Sequence, residues 1–221
     1  MMERNDDMER NTLFIVSSAI NITTNPLSYT SVRSTFSAEE RAKQTLNTIQ
    51  SIRTAMPESK ILLIETGKAR NLPYNIEFAV DKYLYLGNER IVRDAVDGPY
   101  KGLGEICGLY LADQWIRHFN ADYYFKLSGR YYLNENFPIN DWTGNGYTGR
   151  FGGGNMLTVL YGFPNRLYNN WRHALVQSQP GLLRGEAIES ALPRYFEQSI
   201  FNLTELGVSG CVSHHGGFVS L

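Results

Sequence analysis

Residues 121–137 read ADYYFKLSGRYYLNENF, and this stretch decides how the sheet and its ligand-binding edge are built. It opens with three aromatic residues, Tyr123–Phe125, which favour a β-strand, and then turns polar over Lys126–Arg130. In open α/β sheets, ligands bind at the carboxyl ends of the strands. The cations Lys126 and Arg130, with Gly129 beside them to permit close approach, therefore favour an anionic ligand such as phosphate. The alternative is a solvent-exposed hairpin turn with two ordinary surface cations.

The sequence before this stretch predicts a parallel βαβ unit. Thr12–Ser18 (TLFIVSS) and Lys60–Glu65 (KILLIE) are short apolar runs typical of buried parallel strands. Between them, Ser37 and Glu40 have the spacing of a capping box, which predicts a helix that runs to about Ala55. The apolar residues that predict its buried face are Ala42, Leu46, Ile49, Ile52 and Met56. Strand, helix and strand in this order form a right-handed unit.

The remaining pattern extends this unit into a larger sheet. It predicts a strand at Lys82–Leu86, helices at Asn88–Val96 and Lys101–Phe119, a strand at Met156–Phe163, a helix from Pro164, a helix at Arg184–Leu192 and a final strand and glycine turn. We therefore expect an α/β fold with a mainly parallel central sheet and flanking helices, in one domain over residues 12–221 after a flexible tail at 1–11. Residues 12–137 form its nucleotide-binding half, and residues 138–221 form a less regular half that holds a second substrate.

The composition and charge of the chain indicate which classes of protein it can belong to. The chain has 221 residues, of which 43% are hydrophobic and 19% charged, as in soluble globular proteins. A formal net charge of −1 argues against a general nucleic-acid binder. No apolar run approaches the ~18 residues that a membrane span requires, and the first residues lack the apolar segment of a signal peptide. The two cysteines, Cys107 and Cys211, are interpreted as buried thiols in a reducing compartment, so we expect a cytoplasmic protein.

Three stretches of the chain resemble glycosyltransferases of the GT-A type. They are SVRSTFSAEERAKQTLNTIQSIRTAMPESKILLIE at 31–65, KGLGE at 101–105 and YYFKLSGRYYLN at 123–134. All three are similar to small glycosyltransferase-like proteins of bacteria and large DNA viruses, and together they cover residues 12–137. The last third is similar only in the order of its elements. The resemblance implies a nucleotide-sugar donor, bound at the carboxyl edge of the first strands.

The chain departs from the GT-A pattern at one motif. GT-A enzymes usually carry Asp-x-Asp after the strand that follows the long helix, where it binds a divalent metal. This sequence has a K-x-S-G-R-Y motif there, running from Lys126 through Ser128 to Arg130, with no carboxylate. The departure leaves Mn²⁺ or Mg²⁺ dependence open. Lys126 and Arg130, with Ser128 beside them, are instead predicted to bind the donor and to stabilise the charge of the leaving diphosphate.

Other candidate donor-binding residues lie before this motif. Lys101 and Glu105 share one face at the start of a helix, where an anion can bind, so Lys101 is predicted to contact a phosphate and Glu105 a sugar hydroxyl or Arg130. A solvent-facing ion pair is the alternative. Glu65 ends a strand, where its carboxylate can bind the ribose or base. Arg33 is predicted to contact the nucleotide. The other arginine near this helix start, at position 41, is interpreted as a surface residue.

The acceptor side is expected to come from the last third of the chain. A carboxylate at a helix start in this region often acts as the general base in inverting GT-A enzymes, and Glu186 is preferred over Glu189 because it lies beside a glycine. The alternative is that both acids complement a helix dipole. His214 or His215 would be the metal ligand if there is one. On a strand the two would point to opposite faces, so only one of them can serve.

These observations lead to three functional hypotheses. The first is a glycosyltransferase that moves a sugar from a nucleotide-sugar donor to a glycan or polysaccharide acceptor, as in polysaccharide biosynthesis. The second is a non-catalytic domain on the same fold that binds a nucleotide sugar or glycan. The third is a nucleotidyltransferase, which ranks last because the residues after the first strand, SSAINITTNP, contain no glycine for a phosphate loop.

Overall fold

The computed structural model describes residues 11–143, 145–197 and 199–221, and within these residues ten strands form two sheets with helices packed against them. The strands are β1 (Thr12–Ser18), β2 (Lys60–Glu65), β3 (Lys82–Tyr85), β4 (Tyr123–Ser128), β5 (Tyr131–Leu133), β6 (Tyr147–Gly152), β7 (Asn155–Pro164), β8 (Ile200–Asn202), β9 (Val208–Cys211) and β10 (Phe218–Ser220). The helices are α1 (Ala38–Ala55), α2 (Arg90–Asp97), α3 (Lys101–Leu111), α4 (Asp113–His118), α5 (Tyr168–Gln177), α6 (Gln179–Leu183) and α7 (Ile188–Ala191). Short 3₁₀ helices span Pro73–Phe78, Ile139–Thr143, Asn165–Leu167 and Pro193–Tyr195. The predicted tail at 1–11 lies outside the described residues except for its last residue.

The central sheet has the strand order β3-β2-β1-β4-β7-β6-β8. Strands β3, β2, β1 and β4 are parallel to one another, with Val16 of β1 opposite Leu63 on one side and Leu127 on the other. Strand β7 is antiparallel to both β4 and β6, and β8 is parallel to β6. This confirms the predicted α/β fold with a mainly parallel sheet. The carboxyl ends of β1, β2 and β4 meet at one edge.

Strand β1 lies at the centre of two apolar cores. Its residues alternate between them, with Leu13 in the core on one face of the sheet and Phe14 in the core on the other. Phe14 stacks on Phe125 of β4 with ring centroids 4.6 Å apart. A strand buried on both faces has to be apolar throughout, which is why TLFIVSS predicted it.

The predicted capping box of α1 is confirmed. The Ser37 hydroxyl accepts the Glu40 N–H at 3.2 Å, and the Glu40 carboxylate accepts the Ser37 N–H at 2.8 Å. The buried face of α1 is more polar than predicted, because it includes Thr45 and Thr48 while Leu46 is only partly buried. The two threonines are buried because their hydroxyls bond to the backbone of the β4–β5 turn.

Two predicted helices differ from the structure. The helix predicted at Lys101–Phe119 is divided at Ala112 into α3 and α4. The helix predicted at Arg184–Leu192 is wrong, because α6 ends at Leu183 and α7 is a single turn that begins at Ile188. Gly185, at φ +90°, ends α6 in a Schellman motif, in which the Glu186 N–H donates to Gly181 O at 3.1 Å.

The second sheet has the order β10-β9-β5 and is antiparallel. It brings the end of the chain back to β5, just beyond the turn that follows β4. The predicted final strand and glycine turn are therefore present, but His214 and His215 lie in the turn between β9 and β10 and not on a strand. None of the helices in the described residues is both long enough and apolar enough to span a membrane.

Candidate active site

Two adjoining cavities open at the carboxyl edge of the central sheet. The first has a volume of about 100 Å³ and lies between the ends of β1 and β2 and one face of α3. The second has a volume of about 410 Å³ and lies between the α3 N-terminus, β7 and the segment around α7. Four residues line both cavities, and we call them the junction: Lys101, Glu105, Ser128 and Arg130. All four were predicted from the sequence to bind the donor, and the structure brings them together.

Arg130 reaches the junction from a turn that is fixed on both sides. The Thr45 hydroxyl donates to Gly129 O at 3.1 Å, and the Thr48 hydroxyl donates to Tyr131 O at 2.7 Å. Gly129 fits between β1 and α1, since a Cβ there would lie 3.2 Å from the oxygen of Ser17, and its φ is not positive. The guanidinium of Arg130 has no hydrogen bond or ion pair to any described residue, and only packs 5.8 Å from the Tyr131 ring centroid.

Lys101 is the first residue of α3 and is half-buried. Its ammonium has neither a hydrogen bond nor a carboxylate within 4.0 Å among the described residues. Burial and the charge of Arg130 lower the pKa of Lys101 to about 7, although Glu105 and Glu189 oppose the shift. An unpartnered cation at a helix N-terminus is an anion-binding arrangement.

Arg41 is a third cation in this region, and the interpretation of Arg41 as a surface residue is wrong. It is 7% exposed and lines the first cavity. Its guanidinium donates to Ala19 O at 2.7 Å and to the hydroxyls of Ser34 and Ser213 at 3.1 and 3.4 Å. Burial and the charge of Arg130 lower its pKa. The sequence could have indicated this position of Arg41, because the first turn of a βαβ helix lies at the carboxyl edge of the sheet.

Lys126 and Glu105 form an ion pair inside the protein. Lys126 is 1% exposed and also donates to Thr158 O at 2.8 Å, and the Glu105 side chain is 23% exposed. The predicted contact of Lys126 with a phosphate is thus replaced by an internal ion pair, and Glu105 contacts Lys126 instead of Arg130. Because Glu105 neutralises Lys126, Lys126 adds no unpaired positive charge to the cleft.

Glu65 and Arg33 hold loops in place. Glu65 is fully buried, and its Oε1 accepts the N–H groups of Ile20 at 2.9 Å and Gly67 at 2.6 Å. Burial raises the pKa of Glu65. Arg33 lines the first cavity, but its guanidinium donates to Val96 O at 2.7 Å and to other backbone carbonyls around the end of α2. Burial lowers its pKa. In place of the predicted nucleotide contacts, both side chains bind backbone.

Glu186 and Glu189 both line the second cavity, in different settings. Glu186 lies in the loop before α7, where it accepts a hydrogen bond from Arg184 at 3.2 Å and forms an ion pair with Arg194 at 3.1 Å. Glu189 lies in the first turn of α7 and accepts the Thr158 hydroxyl at 3.1 Å, without an ion pair to any described residue. Both carboxylate oxygens of Glu186 thus contact arginines, whereas Glu189 contacts one hydroxyl and leaves an oxygen open to the cavity.

Aromatic side chains form the rim of the second cavity. Tyr29 is 61% exposed and meets the His214 ring edge-on at 6.0 Å. Burial, His215, Lys101 and Arg130 all lower the pKa of His214. His215 is exposed, and its Nδ1 accepts the Gly217 N–H at 3.0 Å. Only His214 of the two histidines lines the cleft, and because both lie in a turn, the alternation expected on a strand does not apply. Sequence reasoning missed Tyr29, which lies in a loop without a recognisable motif.

The side chains at the junction do not suit a divalent cation. Mn²⁺ and Mg²⁺ prefer carboxylate, carbonyl and water oxygens. The end of β4 instead presents Ser128 and Arg130, and the carboxylate of Glu105 is paired with Lys126. No group of three or more His, Cys, Asp or Glu residues that could hold a metal ion occurs in the described part of the chain.

Comparison with known proteins supports the fold. No protein-family model matches the sequence, and a search of curated proteins found no significant match. Among solved structures, 48 chains match the fold. One is the galactosyltransferase LgtC, solved in complex with donor and acceptor sugar analogs. It is similar with a TM-score of 0.51 and 8% sequence identity over 86% of this chain and 72% of that chain. At this identity the similarity establishes a GT-A-like fold alone.

Proposed function

We propose that the protein is a glycosyltransferase that transfers a sugar from a nucleotide-sugar donor to a glycan or polysaccharide acceptor. The observation that carries the proposal is the junction. Two cations without partners among the described residues, Lys101 and Arg130, lie where two cavities of a GT-A-like fold meet. This arrangement suits a ligand that has a diphosphate in its middle and a different group at each end.

The first cavity is assigned to the nucleoside. It lies at the ends of β1 and β2, where ligands of α/β sheets bind. Gly104 and Gly108 line it from α3, and a Cβ would lie 3.0 Å from Val96 at Gly104 and 2.9 Å from the Thr66 methyl at Gly108, so a larger residue at either position would push on its neighbour. Ser17, Ser18 and Thr66 line it as well. The Thr66 hydroxyl donates to Ser18 O at 3.0 Å and Ser18 Oγ lies 3.3 Å from Thr45 Oγ1, so Ser17 is the one of the three assigned to contact a ribose or base.

The second cavity is assigned to the donor sugar and the acceptor, with Glu189 as general base. In an inverting transfer, Glu189 accepts the proton of the acceptor hydroxyl as that oxygen bonds to the anomeric carbon. The bond from this carbon to the diphosphate breaks, and the nucleoside diphosphate leaves with the electron pair. Lys101 and Arg130 then stabilise its added negative charge.

Thr158 positions this base. Its hydroxyl donates to Glu189, while its carbonyl accepts from Lys126, which is itself paired with Glu105. The chain of contacts fixes the α7 carboxylate relative to the junction across β7. A base has to be held within hydrogen-bond reach of its proton, and this chain supplies such a restraint.

The experiment that tests the proposal is nucleoside diphosphate release from a panel of nucleotide sugars, with and without glycan acceptors. Release above that of the Lys101→Ala variant is expected for at least one donor. The matched control is Lys82→Ala, which alters an exposed lysine at the opposite edge of the sheet. Absence of turnover with every donor, in protein that still binds one of them, would favour the non-catalytic binding domain.

That second candidate is supported by a specific observation. The carboxylate pair of GT-A enzymes is replaced by Lys126 and Ser128 at the end of β4. A binding domain would protect a nucleotide sugar from hydrolysis, whereas an enzyme slowly hydrolyses it. The nucleotidyltransferase remains the third candidate, and release of pyrophosphate from a nucleoside triphosphate and a sugar phosphate would identify it.

A further inference from the structure

We infer that the junction binds the diphosphate of the donor directly, through Lys101, Arg130 and the N-terminus of α3, and that a divalent cation competes with the protein for this diphosphate. This inference rests on the proposed function and states how its donor site works. A metal-assisted site would use the cation as a bridge, so the two arrangements respond in opposite directions to added metal.

The first reason is that the free charges of the junction are positive. Arg41 and Arg130 both disfavour the protonated form of Lys101, and Lys101 and Arg130 lack ion-pair partners among the described residues. Like charges held together destabilise each other, and an anion between them relieves this repulsion. The α3 N-terminus adds the partial positive charge of its helix dipole.

The second reason is that each carboxylate near the junction is already engaged. Glu105 is paired with Lys126, and Glu186 with Arg184 and Arg194. Glu189 accepts the Thr158 hydroxyl from the far side of the second cavity. A cation at Glu105 or Glu186 would have to compete with an ammonium or guanidinium group for the carboxylate, and Glu189 alone supplies too few ligands for a divalent cation.

The third reason concerns the ligand. A divalent cation bound to a diphosphate neutralises two of its negative charges and occupies oxygens that Lys101 and Arg130 would otherwise contact. The metal complex therefore has less attraction to the junction than the free diphosphate. Ser128, which lines both cavities, can donate from its hydroxyl to an oxygen that no metal holds.

The experiment is titration calorimetry with inorganic pyrophosphate and with UDP, each in EDTA and each in excess Mg²⁺ or Mn²⁺. We expect binding in EDTA and affinity at least about tenfold lower with metal, which corresponds to ~1.4 kcal/mol. Lys101→Ala and Arg130→Ala should each lower the metal-free affinity about 10- to 100-fold, the scale of one hydrogen bond to a charged group. The matched controls Lys82→Ala and Arg166→Ala change exposed residues at the opposite edge and should bind like the parent.

Each outcome of the titration either supports or overturns the inference that the junction binds the diphosphate directly. Binding that requires metal, or that metal strengthens, would overturn the inference while leaving the proposed function intact. Binding in EDTA without any donor turnover would support the inference and count against catalysis. If neither probe binds under any condition to protein whose thermal unfolding is cooperative, the junction is not a diphosphate site, and both proposals fail. Pyrophosphate needs no nucleoside contacts, so the choice of base does not affect this test.

Discussion

Diphosphate binding should weaken as the pH rises above neutrality, because Lys101 loses its proton in this range. Burial and Arg130 lower the pKa of Lys101 to about 7, with a further contribution from Arg41 and opposition from Glu105 and Glu189. Only the protonated amine carries the charge that a phosphate oxygen contacts. The bound anion raises the pKa of Lys101 again, so binding takes up a proton.

The size of the effect follows from the titration. With a pKa of about 7, the protonated fraction of Lys101 falls from about one half at pH ~7 to about one thirtieth at pH ~8.5, a factor of roughly 15. Losing one charge-assisted hydrogen bond costs about 1.5–3 kcal/mol of binding free energy. The affinity for the diphosphate can therefore fall by at most about 10- to 100-fold. The other groups in the cleft contribute little in this window. The terminal phosphate of UDP, with a pKa near ~6, is already ionised, and the pKa of His214 is lowered, which favours its neutral form.

The assay is UDP affinity by calorimetry in EDTA across this range, repeated in buffers of different ionisation enthalpy to count protons taken up. Lys101→Arg is the decisive control, because arginine keeps its charge throughout. This variant should bind with nearly constant affinity and without proton uptake. A parent affinity that stays constant with pH, or an equal decline in Lys101→Arg, would refute the reasoning.

Three further results are expected. Glu189→Gln should lower donor turnover by ~10²–10⁴ with donor affinity nearly unchanged, while Glu186→Gln should stay within a few-fold, as steady-state kinetics and calorimetry on the same protein would reveal. Glu105→Gln should lower the free energy of unfolding in urea by about 3–5 kcal/mol, because it leaves the buried Lys126 unpaired, and adding Lys126→Met should restore most of it. Gly185→Ala should cost about 1–2 kcal/mol of unfolding free energy, since φ +90° disfavours a side chain.

The first half of the fold could be predicted because its signals are local. A strand buried on both faces has to be apolar, and Thr12–Ser18 and Lys60–Glu65 are paired in parallel as the βαβ pattern requires. Ser37 and Glu40 mark the start of α1 within four residues of chain. In each case the residues that determine the element lie inside or next to it, so no distant contact has to be known.

The last third of the chain was harder to predict, because residues that favour a helix lie close to a glycine that ends one. A helix was predicted through Arg184–Leu192, although Gly185 is also a strong helix stop. Glycine in the left-handed conformation ended α6, and this moved Glu186 out of a helix start and next to Arg194. The sequence around Glu186 contains Arg184, but the approach of Arg194 depends on how the chain turns after α7.

The candidate site was predictable in part, and its errors have one cause. Lys101 and Arg130 lie next to recognisable features, a helix start and a glycine turn, and both reach the junction. The pairing of Lys126 with Glu105 is a long-range effect. The ion pair joins β4 to α3, and Lys126 also donates to Thr158 O of β7, which lies antiparallel beside β4. Contacts between elements that are distant in the chain leave no local trace in the sequence.

Ligand binding should stabilise the folded protein, because the cations in and beside the junction repel one another and the backbone around Arg130 is held in place. Arg130 lowers the pKa of both Arg41 and Lys101, so the three cations disfavour one another in the free protein. Thr45 and Thr48 hold the backbone on both sides of Arg130, which prevents the turn from moving away to relieve this repulsion. A diphosphate that neutralises the cations therefore stabilises the folded protein by its own contacts and by removing this repulsion. Thermal stability should rise with pyrophosphate in the parent, and rise less in Arg130→Ala, where part of the repulsion is already absent.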